Sequence, residues 1–460
     1  MFEIEREHPE YTARRGAVKK YADLYAGGEQ MLRSAAEYLL PRNKEPYQVY
    51  QERLSRTFYE NYIGSIVDWY AATLFRREPL LSFEGPNDSG RRFFGEFIED
   101  CDQRGSNLTD FLRQRFVECL VQGASYVLVD FPKAAANFGS RAEEDKLGAS
   151  RAYLVGYSAD DLTNWSYDGQ GRFDWVVVRK QRLCKASPED EWSTETVWTY
   201  YDKFEYRKYR QLQRGDKKEA IELVDSGPHG LAKQGRVPLF RLEIPEGLWL
   251  LNRAGSLQLE HFNKSNALAW ALTMGLFAMP VVYTDRKFEQ IMGESYYIQM
   301  APTDKFGWTE PEGKVYEIAA QNLVRLQEEI YRVCYLVHMG GPLGSAMGQS
   351  GLSKARDYQI TQEVLRSYGD SVKDLTRRVL LAIEDAREDG LRVVVSGLDE
   401  FDIGDFTGEL DEAERLLKIG IESPTLRKQV YKKLAMKYLC DVRQDIKDEI
   451  AREIDRSLRS

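Results

Sequence analysis

From Ser353 to Asp389 the chain runs without a proline and with one internal glycine, Gly369. Along it, Tyr358, Thr361, Leu365, Tyr368, Val372, Leu375, Val379, Ala382 and Ala386 step by three and four. That spacing lays one apolar stripe down a single helix for about four heptads. At roughly 1.5 Å per residue the helix is on the order of 50 Å long. A helix of that length packs along other elements or along other subunits. The pattern leaves both open, with the core of an ordinary bundle beside them.

The segment before it, "HMGGPLGSAMGQSGLSKARDYQ" from His338 to Gln359, holds Gly340, Gly341, Gly344, Gly348 and Gly351. A phosphate-binding P-loop needs GxxxxGK[ST] after a strand, so that backbone N–H groups and a lysine meet the phosphates. Here Gly348 is followed by Gln349 and Ser350, the nearest lysine is Lys354, and the preceding segment is helical. The motif fails. Two readings stay open: a flexible linker whose Ser350 or Ser353 caps the long helix, and a helix start at which Lys354 and Arg356 touch a phosphate without specificity.

Upstream, "LLNRAGSLQLEHFNKSNALAWALTMGLFA" predicts a long helix stopped by Pro280. Short strand-like pieces follow: "PVVYTD", "YYIQM", "KFGWTEPEG" and "KVYEIA". Then "NLVRLQEEIYRVCYLVH" predicts a second helix with Leu323, Leu326, Ile330, Val333 and Val337 on one face. The order is therefore helix, compact β insert, helix, glycine segment, very long helix.

The first third predicts helices over "GAVKKYADLYAGGEQMLRSAAEYLL" and "YQVYQERLSRTFYENYIGSIVDWYAATLF", and another over "LTDFLRQRFVECLVQG" ending at Gly123. A β-rich block spans roughly Tyr153 to Ile244, with strands in "FDWVVVRKQRL", "TVWTYYDKFEYRKYR" and "RVPLFRLEI". "GLRVVVSGLDEF" predicts a strand after the long helix. The tail predicts three short helices, one opened by Ser423 and Pro424, the last capped by Asp441.

Composition narrows the function. The net charge is −9, without the basic excess of a tight nucleic-acid binder. The five cysteines, Cys101, Cys119, Cys184, Cys334 and Cys440, form no CxxC pair, and His8, His229, His261 and His338 are scattered. No ligand set has zinc spacing, and neither HExxH nor GxSxG occurs. The N-terminus lacks an apolar signal core, and the apolar run from Ala267 to Tyr283 is short and interrupted by Pro280. These features predict a soluble protein of a reducing cytosol with no cofactor, no metal and no catalytic constellation: not an enzyme.

The order of parts resembles the portal proteins of tailed bacteriophages, the head-to-tail connector rings. The likeness is carried by "PRNKEPYQVYQERLSRTFYENYIGSIVDWYAATLFRREP", "FLRQRFVECLVQGASYVLVDFP", "LTMGLFAMPVVY" and "GQSGLSKARDYQITQEVLRSYGDSVKDLTRRVLLAIEDA". The resemblance implies an α+β subunit of wing, stem, clip and crown, with long helices and a β-rich wing and clip, assembling into a ring, typically a dodecamer.

Carried onto this chain, residues 1–248 are the wing, a helical part and then a β-rich part. Residues 249–279 are the first stem helix, 280–320 the clip and 321–337 the second stem helix. Residues 338–352 are the tunnel loop, 353–408 the long wing helix and a strand, and 409–460 the crown.

The resemblance further implies a virion component at one capsid vertex, made in the host cytoplasm, with no membrane partner. Double-stranded DNA passes non-specifically through its channel during packaging and ejection. The ring docks a terminase, then a head-tail adaptor protein, and sits in the major capsid or scaffolding protein shell. The residues implied to line the channel are Met339, Gly340, Gly341, Leu343, Gly344, Met347, Gly348 and Gln349, with Lys354 and Arg356 at the helix start. The competing readings are an interaction scaffold without a channel and a cryptic phosphate-processing enzyme.

Overall fold

In a computed structural model, the structure describes residues 3–132, 151–185, 187, 189, 191–275, 279–284, 303–309, 313–336, 351–399, 401, 414–415, 418, 423–438 and 444–457. The protein is α+β, as expected from its sequence. It divides into two compact units. One holds Met1–Ala22, Ser65–Arg253 and Ser350–Ser460; the other holds Asp23–Gly64 and Ala254–Gln349. Residues 23–64 thus group with 254–349 and not with the rest of residues 1–248.

The elements in chain order begin with helices α1 (Pro9–Ala26), α2 (Gly28–Arg33), α3 (Ala35–Tyr38), α4 (Tyr47–Ser55) and α5 (Tyr62–Leu74). Strand β1 (Leu80–Glu84) and helices α6 (Asp88–Glu99) and α7 (Leu108–Gln122) follow. Strands β2 (Ala124–Asp130), β3 (Tyr153–Ser158), β4 (Leu162–Tyr167), β5 (Phe173–Cys184), β6 (Ser193–Tyr201), β7 (Glu205–Arg214), β8 (Lys217–Lys218), β9 (Glu222–Pro228) and β10 (Leu239–Glu243) make the β-rich block. Then come α8 (Leu250–Gly275), β11 (Met279–Tyr283), β12 (Lys305–Thr309), α9 (Gly313–Val333) and α10 (Gly351–Arg387). The chain closes with β13 (Arg392–Ser396), α11 (Pro424–Tyr438) and α12 (Gln444–Ser457).

In the first unit, β4, β5, β6 and β7 pair in order, and both β8 and β9 pair with β7; a smaller sheet runs β10-β2-β3. β2 is buried on both faces because α7 packs against it and α10 reaches it as well. The long helix is a core element of this unit. Thr361, Leu365, Tyr368, Val372, Leu375, Val379 and Ala382 of the heptad stripe are all buried. Ile383 and Leu380 are buried beside them, so the sealed face is wider than a two-helix seam. Tyr368 meets Tyr70 and Phe116 edge-on and donates its hydroxyl to Leu248 O at 2.6 Å. The pattern had left bundle core, neighbouring element and neighbouring subunit open; within this chain the stripe is core.

Local chemistry sets the ends of the shorter elements. Asn87 and Asn107 accept hydrogen bonds from Gly90 N and Asp110 N and so cap α6 and α7. Gly123 ends α7 in the left-handed region, φ 84°, with its N–H on Cys119 O. Ser423 Oγ accepts from Leu426 N at 3.2 Å and Pro424 is the first residue of α11, as the sequence predicts.

In the second unit, α8 turns amide side chains onto backbone that no helix satisfies. Asn266 accepts from Phe58 N at 3.1 Å and donates to Phe58 O at 2.9 Å. Asn263 accepts from Leu40 N and donates to Tyr38 O. Gln258 donates to Glu60 O and accepts from Ile63 N. These bonds tie peptide groups where the chain leaves α3, leaves α4 and enters α5 to α8.

Several expectations need correction. "KVYEIA", expected as a strand, is helical: α9 starts at Gly313, eight residues before the expected second stem helix at 321. Over six residues an alternating apolar pattern also fits helical spacing, and the helix wins because the period of three and four continues to Ile330. The β part of the segment 280–320 therefore ends before Gly313. The strands described there are β11 and β12, paired antiparallel with Met279 opposite Thr309 and Tyr283 opposite Lys305.

"TVWTYYDKFEYRKYR" is a hairpin and not one strand. Asp202 Oδ1 accepts from Phe204 N and Glu205 N and turns the chain. The helix expected from Gly16 to Leu40 breaks at Gly27 and Gly28, both at positive φ. The helix expected from Tyr47 to Phe75 breaks between Ser55 and Tyr62. The sequence pattern does not announce β1 or α6; β1 pairs with β13 across more than 300 residues of sequence, Leu80 opposite Ser396. "YYIQM" and the Asp441 cap lie outside the described residues.

Candidate functional site

Met339, Gly340, Gly341, Leu343, Gly344, Met347, Gly348 and Gln349 lie outside the described residues. Lys354 and Arg356 stand in the first turns of α10; the chain is helical at both, and their side chains lie outside the described residues. Two other features of the structure bear on function.

The first is an arm in the second unit. α8 leads into β11, β11 pairs with β12, and β12 leads into α9. Lys264 Nζ donates to Asn322 Oδ1 at 3.0 Å. Tyr62 meets both His261 of α8 and Tyr331 of α9 edge-on. Rising numbers on α8 meet falling numbers on α9, so the two helices are antiparallel and the hairpin joins their ends. Near the hairpin, α9 leaves Val315 and Ile318 exposed at 64% and 58%, with Val324 exposed further along.

The second is an open cleft of about 1150 Å³ in the first unit, between β10, the turn before β5 and α10. Arg172, Arg236, Arg241 and Arg378 line it, with Phe173 and Phe240 among its apolar walls and Glu10, Glu243, Glu246, Asp370 and Asp374 at its acidic places. The pairing between β10 and β2 explains the layout. Val129 N donates to Pro238 O, so alternate residues Leu239, Arg241 and Glu243 turn their peptide groups away from β2. Arg378 Nη2 reaches across from α10 and caps this free edge at Arg241 O, 2.9 Å away.

The arginines differ in their partners. Arg241 Nη2 is 2.9 Å from Glu243 Oε1, and Arg378 Nε is 2.9 Å from Asp374 Oδ2. The second pair is an ion pair without hydrogen-bond alignment, and Arg241 Nε is buried with no acceptor. Arg236 places its Cζ over the Phe240 ring, 4.6 Å from the ring centre. Burial lowers the pKa of Arg236; Asp385 opposes this, and the like charges of Arg172 and Arg378 add to it. None of the four arginines is near another in sequence except Arg236 and Arg241, so no local signal marks the cleft.

Catalytic chemistry has little to stand on among the described residues. No group of three or more His, Cys, Asp or Glu side chains is placed to hold a metal ion there. Burial pushes the Cys101 and Cys119 thiols up to about 12, the opposite of an activated nucleophile. His229 is buried as a structural link: its Nδ1 accepts from Leu231 N and its Nε2 lies 2.9 Å from Asp202 O. His261 is buried on α8 with Nε2 3.6 Å from Glu60 Oε2. Burial lowers the pKa of both rings. Among the described residues no helix is long and apolar enough to cross a membrane.

No protein-family model matches the chain, and no curated protein does. Among solved structures, it is similar to a chain in the neck of an empty gene transfer agent (GTA) particle computed with C6 symmetry, at 11% identity and a TM-score of 0.43, over 80% of this chain and 90% of that one. It is also similar to a chain in the virion of a native GTA particle, at 12% identity and a TM-score of 0.40, over 87% and 97%. A chain in the neck of a native GTA particle computed with C12 symmetry is similar at 12% identity and a TM-score of 0.35, over 78% and 85%.

Proposed function

We propose that this chain is the portal-type subunit of a phage-like particle: a ring at one capsid vertex through which double-stranded DNA is packaged and ejected. The observation that carries the reading is the helix–hairpin–helix arm of α8, β11, β12 and α9. Such an arm gives each subunit two long helices to pack against its neighbours and a β tip to offer to other proteins. Exposed Val315 and Ile318 suit the neighbour contact. On this reading α8 and α9 are the stem, the hairpin is the clip that meets terminase and later the adaptor, and the first unit supplies the wing, with the crown in α11 and α12.

The segment 338–352 is the tunnel loop of this reading, with Met339, Leu343 and Met347 as soft apolar contacts and its glycines free to shift as DNA passes. Lys354 and Arg356 give a local ring of positive charge, while a chain of net charge −9 keeps the rest of the conduit repulsive to phosphate. The ring hydrolyses nothing; the packaging motor is a separate ATPase. Deleting 340–348 tests the loop: rings assemble as before and DNA packaging or retention falls. Loss of assembly contradicts the assignment and makes the loop structural.

A further inference from the structure

His261 is buried on α8 without a hydrogen bond. Its Nδ1 is sealed from water with no partner among the described residues. Its Nε2 lies 3.6 Å from Glu60 Oε2, beyond hydrogen-bond reach, and 3% of the side chain is exposed. A buried polar atom left without a partner calls for a reason. The neighbours of the ring supply one. Tyr62 stands edge-on against it with ring centres 5.0 Å apart, and edge-on against Tyr331 of α9 at 6.3 Å. Gln258, one turn earlier on α8, accepts from Ile63 N and donates to Glu60 O. The segment from Glu60 to Ile63 is thus tied to α8 by one amide and packed on one imidazole, and α9 meets that segment through Tyr62.

While neutral, the imidazole serves as an apolar filler. A proton turns it into a buried cation whose Nδ1–H has no acceptor. Burial lowers the pKa of the ring, and the carboxylate of Glu60, 46% exposed, opposes this without overcoming it. Glu260 and Lys264, on the same helix, lie close to each other as an ion pair. Tyr62 and Tyr331 have pKa values raised by burial and stay neutral in acid. We propose that His261 is an acid-operated latch at the base of the arm. On protonation the ring turns out to water, Tyr62 lifts from α8, and α9 loses its hold at Tyr331 while the sheets of the first unit stay folded. The inference stands on the second unit alone and holds whether or not the chain forms a ring.

The test is hydrogen exchange read by mass spectrometry on the full-length protein, in whatever assembly it purifies, at about pH 7.5 and about pH 5.5, with each rate divided by the intrinsic rate at its pH. An open imidazole of ordinary pKa, about 6.5, is about nine-tenths protonated at the lower pH, so one proton raises opening by at most about tenfold. The expected result is a loss of protection of about threefold to tenfold in peptides covering 60–66 and 326–333, with β5 and β6 still unexchanged over the same labelling time. His261→Phe and His261→Gln abolish this acid effect. Glu60→Gln enlarges it, because the closed ring loses the carboxylate that offsets its charge. Unchanged protection in the unmodified protein, an acid effect that survives both His261 variants, or simultaneous exchange of β5 and β6 overturns the proposal.

Discussion

Arg387 and Asp389 form an ion pair with Nε 2.8 Å from Oδ2 and with 1% and 2% of the side chains exposed. The arginine's Cζ also lies over the Phe93 ring, 3.7 Å from its centre. Asn87, the cap of α6, donates to Asp389 through its side-chain amide at 3.1 and 3.2 Å. One sealed pair thereby joins the end of α10 to the start of α6. Asp389→Ala leaves a buried guanidinium without its carboxylate and lowers unfolding free energy by about 3–5 kcal/mol in urea. Replacing both residues with Met and Leu restores most of that loss, because a buried pair exceeds a well-packed apolar pair by little.

Leu375 sits at the centre of the buried stripe of α10. Leu375→Ala costs about 2–5 kcal/mol in the same measurement, since the surrounding side chains close the cavity only in part. Leu375→Asp prevents a stable fold, because it buries an unpaired charge. A normal melting temperature for Leu375→Asp shows that the stripe is not core.

Asn266 holds both peptide groups of Phe58. Asn266→Ala removes two partly buried hydrogen bonds at about 0.5–1.5 kcal/mol each. Hydrogen exchange at the Phe58 amide accelerates, while exchange in the β4–β5–β6–β7 sheet stays as it was. Uniform acceleration across the chain contradicts this local role.

His229 and His261 give the fold an acid limit. Burial lowers both pKa values in the folded state, against the carboxylates of Asp130 and Asp202 for His229 and of Glu60 for His261. A depressed folded pKa means that the unfolded chain takes up protons first as pH falls. The stability these neutral rings contribute is complete above about pH 6.5, the ordinary histidine value, and is lost as pH falls through that value and through the folded pKa. Melting temperature therefore drops between about pH 7 and pH 5. His229→Gln and His261→Gln each flatten that slope; an unchanged slope in both contradicts the assignment.

How much was legible follows from range. The heptad of α10, the Ser423 cap and the helix end at Gly123 act within a few residues, and the sequence states them directly. The pairing of β1 with β13, the hold of Asn266 on Phe58 and the Arg387–Asp389–Asn87 link depend on residues far apart in the chain. No period or motif announces them. "KVYEIA" misled because two periods fit six residues. The predicted channel residues rest on family likeness, and no local signal marks the arginine cleft, because Arg172, Arg236 and Arg378 meet only once β10 and α10 are packed together.

The central claim is that many copies of this chain close around a DNA-wide hole, and the mass and axial image of the purified particle test it together. About twelve chains of 53.1 kDa give a particle on the order of 600 kDa. The predicted image is a ring with a central opening wide enough for duplex DNA and with α8 and α9 packed against their counterparts around it. A monomer or small oligomer without an opening under assembly conditions contradicts the claim.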